Sequence, residues 1–208
     1  MKKILLMILT LCMLSTVLVT FSACATPPRV DEIYDRVVEL IEASYELNTV
    51  FYGDGLPVWK TDSAFAEFSH LYFDFPYKGD YELVKPQANF QSVDEIKIAA
   101  AKVYSQKYLE TALFPAAFDG LASDTAVTGA RYLEENGALY QSTSNAFAIE
   151  GIPIYDYSTM KVVTIGKRDA CFVEIEYVLD ITPEQTQTAS IRIVQQDDGL
   201  WYLDSFTG

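Results

Sequence analysis

Cys171-Phe-Val-Glu-Ile-Glu-Tyr-Val-Leu179 is the stretch on which the fold turns. Cys171, Val173, Ile175, Tyr177 and Leu179 fall on one side of an extended chain, with Glu174 and Glu176 on the other. A period of two is the mark of a strand with one face on a core. The pattern continues downstream in Ala189, Ile191 and Ile193. Asp197-Asp198-Gly199 then turns the chain into Leu200-Trp-Tyr-Leu203. Upstream, residues 161–165 read as another strand. Earlier still, Glu135-Asn136-Gly137 separates residues 131–134 from residues 138–141, and Asn-Gly between extended segments is the strongest short signal of a hairpin. Turns this short join antiparallel neighbours.

The first part of the chain has a different period. Residues 30–51 place Val30, Ile33, Val37, Ile41, Leu47 and Phe51 at helical spacing, with Asp31, Glu32, Asp35, Glu39 and Glu42 around the rest. The acids at its start suit the positive end of a helix. Gly53-Asp54-Gly55-Leu56-Pro57 ends it. Residues 63–72 predict a short second helix, and residues 74–90 a loop with a strand at 81–84. Ser92-Val-Asp-Glu95 has the spacing of a capping box. Behind it Val93, Ile96, Ala100, Val103 and Tyr104 form an apolar stripe. Ser105 predicts the cap of a further short helix through Phe114, stopped by Pro115 and Gly120. Helices first and a meandering sheet after them make the class α+β, with N-terminal helices packed on a curved, mainly antiparallel sheet.

The leader has a third character. Met1-Lys2-Lys3 is a cationic head, residues 4–23 carry no charge, and Phe21-Ser22-Ala23-Cys24 closes the run with small residues before a cysteine. That sequence of features is an export signal. Its last four residues resemble the lipobox of bacterial lipoproteins, departing from it at Phe21, where an aliphatic residue is usual. The resemblance implies cleavage before Cys24 and acylation of its thiol, and so attachment to the outer face of the bacterial cytoplasmic membrane with the lipid bilayer as a partner. Two or more acyl chains, at roughly 0.8 kcal/mol per buried methylene, hold firmly where one does not. The organisation expected is a signal peptide over 1–23, a tether over 24–29 and one domain over 30–208.

Composition bounds the rest. Without residues 1–23 the chain has 185 residues with 13 basic and 29 acidic side chains, a net charge of −16. Such a surface repels phosphate backbones, so nucleic acid is excluded as a partner. Of three cysteines, Cys12 leaves with the leader and Cys24 is taken by lipid, so Cys171 has no partner for a disulfide. The domain must stand on its core, for which 14 Tyr and 12 Phe supply bulk.

The order of elements, with the ending Asp197-Asp-Gly-Leu-Trp-Tyr202, is similar to the nuclear transport factor 2-like (cystatin-like) fold, in which N-terminal helices fill the hollow of a curved antiparallel sheet. A weaker likeness, through residues 51–57, the Ser92 helix and Tyr104-Ser-Gln-Lys-Tyr108, is to the secreted DL-endopeptidase inhibitor family. The first resemblance implies a cone cavity, with Tyr45, Tyr104, Tyr108, Tyr132 and Tyr177 as lining candidates. Tyr52, Trp59, Tyr72, Tyr77 and Tyr81 form a second aromatic set, in an acidic irregular stretch suited to a surface contact or to a cluster under a loop.

Catalytic constellations are poorly supplied. His70 is the single histidine, and no Gly-x-Ser-x-Gly accompanies it. Cys171 lies on an alternating strand, where a buried inert thiol is expected. No CxxC, HExxH or Asp-x-Asp-x-Asp-Gly loop is present, so neither metal nor cofactor is expected. The reading is a non-catalytic envelope module for a protein or small ligand. The alternatives are an inhibitor of cell-wall hydrolases and a cavity enzyme of isomerase or dehydratase type using an acid–tyrosine pair.

Overall fold

The computed structural model of the chain describes residues 28–59, 81–122, 127–142, 151–164 and 169–207. The leader, Cys24, the helix expected at 63–72, His70, Tyr72 and Tyr77 lie outside them.

Helix α1 is Val30–Tyr52. Glu32 reaches back to the Arg29 backbone N–H at 3.0 Å, which secures the first turn. Gly53 closes the last turn by donating to the carbonyls of Asn48 and Thr49. The buried face runs Ile33, Val37, Leu40, Ile41, Ser44, Leu47, Asn48, Val50, Phe51. Two polar residues, Ser44 and Asn48, therefore stand inside the apolar stripe.

Strand β1 (Tyr81–Leu83) matches the expected strand and pairs with β5. Helix α2 (Val93–Ala100) starts on Ser92, whose Oγ accepts from Glu95 N–H at 3.2 Å. The reciprocal half of the box shifts by one residue, since Glu95 accepts from Gln91 N–H rather than from Ser92. Ile96, Ala100, Val103 and Tyr104 are buried as the stripe predicts. Ser105 caps the short helix α3 (Gln106–Tyr108). Here the expectation of a stop at Pro115 is corrected. Two π-helical turns follow, Leu109–Leu113 and Pro115–Asp119. Phe114 N–H donates to the Leu109 carbonyl five residues back. Pro115 opens the second turn without stopping the coil, which ends only at Gly120, with φ 79°.

Strands β2 (Leu121–Ala122) and β3 (Val127–Thr128) form a small pair. Strands β4 (Tyr132–Glu135) and β5 (Ala138–Ser142) are the expected hairpin, and Asn136 and Gly137 both take positive φ, 54° and 76°. Only residues tolerant of the left-handed region close a two-residue turn of this hand. The second half is one antiparallel sheet in the order β6 (Pro153–Thr164), β7 (Ala170–Leu179), β8 (Thr182–Gln195), β9 (Trp201–Leu203). The strands thus fall into separate sheets, β1-β5-β4, β2-β3 and β6-β7-β8-β9, where the sequence predicted one meander.

Cys171, Val173 and Ile175 of β7 and Ile191 and Ile193 of β8 are fully buried beneath α1, which touches both β6 and β9. Tyr177 and Leu179, expected on the same inner face, are only half-buried, because the β7–β8 hairpin runs out past the end of the core. Residues 183–188 are exposed throughout. The outer edge of β9 is covered: Leu203 exchanges hydrogen bonds with Val103 and Ser105, and Arg36 donates to the Trp201 carbonyl.

Candidate functional site

The polar residues in the α1 stripe find their partners at the far end of the chain. Tyr104 Oη donates to Asn48 Oδ1 at 2.6 Å, and Asn48 Nδ2 donates to Thr207 Oγ1 at 2.9 Å. Thr207 Oγ1 and Ser44 Oγ are 2.6 Å apart, and Ser44 Oγ donates to the Ile41 carbonyl at 2.6 Å. A hydroxyl has one proton to give, so the donor between Ser44 and Thr207 must be Thr207. The chain then has one direction, from Tyr104 through Asn48, Thr207 and Ser44 into the helix backbone. All four side chains are buried. In such surroundings a complete set of partners is what makes polar groups tolerable.

A layer of tyrosines surrounds this chain. Tyr155 Oη donates to the Thr207 carbonyl. Its ring lies 6.2 Å from that of Tyr157, stacked, and 5.5 Å from that of Tyr177. Tyr52 and Tyr108 share a hydroxyl contact of 3.2 Å, and Tyr52 also meets Phe206 edge-on. Tyr45 Oη donates to the Pro153 carbonyl at 3.1 Å. Burial pushes the hydroxyls of Tyr45, Tyr104, Tyr108, Tyr155 and Tyr157 above the ordinary phenol range. Neighbours add to this, Tyr52 and then Asp204 for Tyr108, and Glu42 for Tyr45. Asp204 is itself engaged, accepting from Ser105 Oγ and pairing with Arg192 at 3.2 Å.

Beside the network a cleft of about 350 Å³ opens between the C-terminal half of α1 and the start of β6. Tyr45, Asn48, Thr49, Asp54, Ile152 and Pro153 are among its walls, and among the described residues no basic side chain is. Neutral donors and acceptors, with one carboxylate at Asp54, suit hydrogen-bonded recognition. Among the described residues no group of three His, Cys, Asp or Glu side chains is gathered to hold a metal ion.

No protein-family model, curated protein or solved structure matches this chain. The site therefore rests on its own geometry.

That geometry regroups the expected residues. Tyr45, Tyr104, Tyr108 and Tyr177 lie in or against the tyrosine layer. Tyr132 is a correction: its hydroxyl donates to the Val50 carbonyl and its ring meets Phe118, on the far side of α1. Strand β4 carries it into the other sheet, away from β6–β9. Tyr52, placed in the surface set, belongs to the layer instead, because α1 runs one residue further than its apolar spacing predicts and turns that side chain inward. Trp59 joins neither group. Its N–H bonds Leu83 beside β1, and Lys85 Nζ stands 5.1 Å from its ring. Tyr81 donates to the Ala130 carbonyl at 2.5 Å. Cys171 is buried, with its thiol pushed up to about 11 by that burial.

Sequence reasoning missed Ser44, Asn48, Tyr155, Tyr157 and Thr207. A signal existed for the first two, since positions 33, 37, 41, 44, 48 and 51 form an unbroken 3–4 series in which both stand on the core side. Residues 153–157 carry a further alternation, with Pro153, Tyr155 and Tyr157 on one side. Thr207 offered none.

Proposed function

We propose that this chain is an exported lipoprotein, held to the outer face of the cytoplasmic membrane by acylated Cys24. On this reading its domain is a non-catalytic binding module of the cell envelope. The leader and lipobox support the address. Helix α1 laid across β6–β9, with the Asp197–Asp198–Gly199 turn leading into β9, supports a nuclear transport factor 2-like arrangement. The observation that carries the binding reading is the cleft beside α1, walled by Tyr45, Asn48, Thr49 and Asp54, with the Asn48 amide held in place from behind by Tyr104 and Thr207. General acid–base work needs a group poised to exchange a proton near the working pH. The phenol in the cleft wall, Tyr45, is held protonated by burial and gives its proton to the Pro153 carbonyl, so it offers a ligand a fixed ring face and an acceptor oxygen rather than acid–base chemistry.

Two measurements test this. Mass analysis of the processed N-terminal peptide should find Cys24 diacylated, and an unmodified thiol on an intact leader removes the anchor. A photo-crosslinking residue at Thr49, on the rim of the cleft, should give a discrete adduct in cell envelopes that a copy carrying it at Glu110 does not. Equal labelling at both positions, or a turnover abolished by Tyr45→Phe, defeats the binding-module reading.

The charge of −16 favours one variant of this reading, an inhibitor of cell-wall hydrolases that offers an acidic face to a basic enzyme groove. It requires that slowing of a purified endopeptidase fade as salt is raised.

A further inference from the structure

The two edges of the β6–β9 sheet are treated differently. The β9 edge is closed by residues 103–105 and by Arg36. The β6 edge has no strand partner among the described residues. Folded proteins usually blunt such an edge, because its free N–H and C=O groups will pair with any strand that arrives. Here the blunting is partial. Between Asp156 and Lys161 the register against β7 slips, from Glu176 to Glu174, so β6 carries three extra residues there. Asp156 folds this bulge on itself, accepting from the N–H and Oγ of Ser158. The bulge interrupts the edge over residues 157–160 and leaves residues 152–156 regular beside the cleft, with Pro153 giving a carbonyl but no N–H there.

That regular stretch borders the cleft. Pro153 directs its carbonyl away from β7, toward Tyr45. Backbone direction alternates along a strand, so the N–H and C=O of Tyr155 point the same way. Alongside lie three exposed isoleucines, Ile152 at 59%, Ile154 at 56% and Ile181 at 62% exposure. Their position is fixed by the reciprocal bonds of Ile152 with Asp180 and by Gly151 at φ 85°, where a side chain would strike Ile181. The charges facing this end are acidic: Asp54 in the cleft, Glu42 near Tyr45 and Tyr157, and Asp156 set directly against Glu176 across the β6–β7 pair. Like charges so paired oppose each other until a cation comes between them.

We infer that the residue 152–156 edge and the cleft beside it take an extended polypeptide segment, alternately apolar and basic, as an added strand. This rests on the binding-module reading and names its partner. Successive side chains of an added strand point to opposite faces. One set meets Ile154, and the other meets the cleft, where Ile152 and Asp54 stand. Five edge residues span about 16 Å, so the segment recognised is short.

The test uses the full chain in mild detergent and a fluorescein-labelled peptide of alternating Lys and Val, read by anisotropy. Two further peptides of equal length alternate Glu and Val, or keep Lys and Val with every second amide N-methylated. Saturable binding of the first is expected, with a loss of about tenfold or more on N-methylation, since the strand bonds go. Ile154→Lys and Asp54→Asn, both at exposed positions and checked for an unchanged melting curve, should each weaken it. Equal binding of the methylated or the acidic peptide overturns the proposal. So does no binding at all. If the Thr49 adduct persists while the Lys–Val peptide fails, strand addition falls and the binding module stands. If both vanish, both fall.

Discussion

The hydroxyl of Thr207 sits 159 residues from Asn48 and 163 from Ser44, and it satisfies both. Replacing it with valine keeps the shape and removes the polar atom. Asn48 Nδ2 would then be buried without an acceptor, which costs about 1–3 kcal/mol. Thr207→Val should lower the urea midpoint accordingly, and the double variant with Asn48→Leu should lose less than the two single variants summed, because the amide that one change orphans is removed by the other. An additive double mutant contradicts the directed chain. Tyr104 was legible in the sequence as a member of an apolar stripe. Ser44 and Asn48 were not, because short polar side chains in a helix read as its wet side unless their phase is followed through Ile41 and Phe51. Thr207 could not be read at all, since what it bonds is fixed only when β9 lies against α1.

Helix α1 has no basic residue in its own last turn. The other sheet supplies one. Arg131, buried just ahead of β4, donates to the carbonyls of Val50 and Gly53 at the helix end. A cation there meets the negative pole of the helix and fills carbonyls that lack partners within it. Arg131→Met should cost about 2–4 kcal/mol, the range for stripping partners from buried polar groups. Hydrogen exchange should quicken at the C-terminal turn of α1 while its N-terminal turn is unaffected, and uniform quickening speaks against a local cap. Elements with a local cause were the legible ones: the Asn136-Gly137 hairpin, the Ser92 cap and the strands with strict alternation. The π-helical turns were not, because widening by one residue leaves no mark in spacing and Pro115 imitates a stop. The outer halves of β6 and β8 escaped for another reason. Residues 183–188 are wet on both faces and so carry no hydrophobic period, and the bulge after Asp156 breaks the period of β6.

Across the whole molecule, one physical condition touches Tyr104, Tyr108, Tyr155 and Tyr157 together. Their folded pKa values lie above 10.0, the ordinary phenol value that an unfolded chain shows. The unfolded state therefore loses these protons first as pH rises. The stability they contribute is complete below pH 10 and declines above it. Melting curves taken upward from neutrality should hold level as far as these groups are concerned and then fall steeply above pH 10, with Tyr155→Phe softening the fall. A fall of equal steepness in that variant excludes Tyr155 from the effect. The α+β class and the antiparallel pairing could be read from the chain, but the division into separate sheets could not, since it depends on which strand edges meet. One feature of that assembly bears on use. Pro28 and the first turn of α1 rest beside the β8–β9 turn, whereas Tyr45, Asn48 and Thr49 reach the cleft from the opposite half of the same helix. The 23 residues of α1 span about 34 Å. Under the proposed anchor, a leash fastened at Cys24 would pull at one end of a rigid rod while recognition took place near the other, so the domain would swing, tilt or be tugged by the bilayer without its grip being loosened.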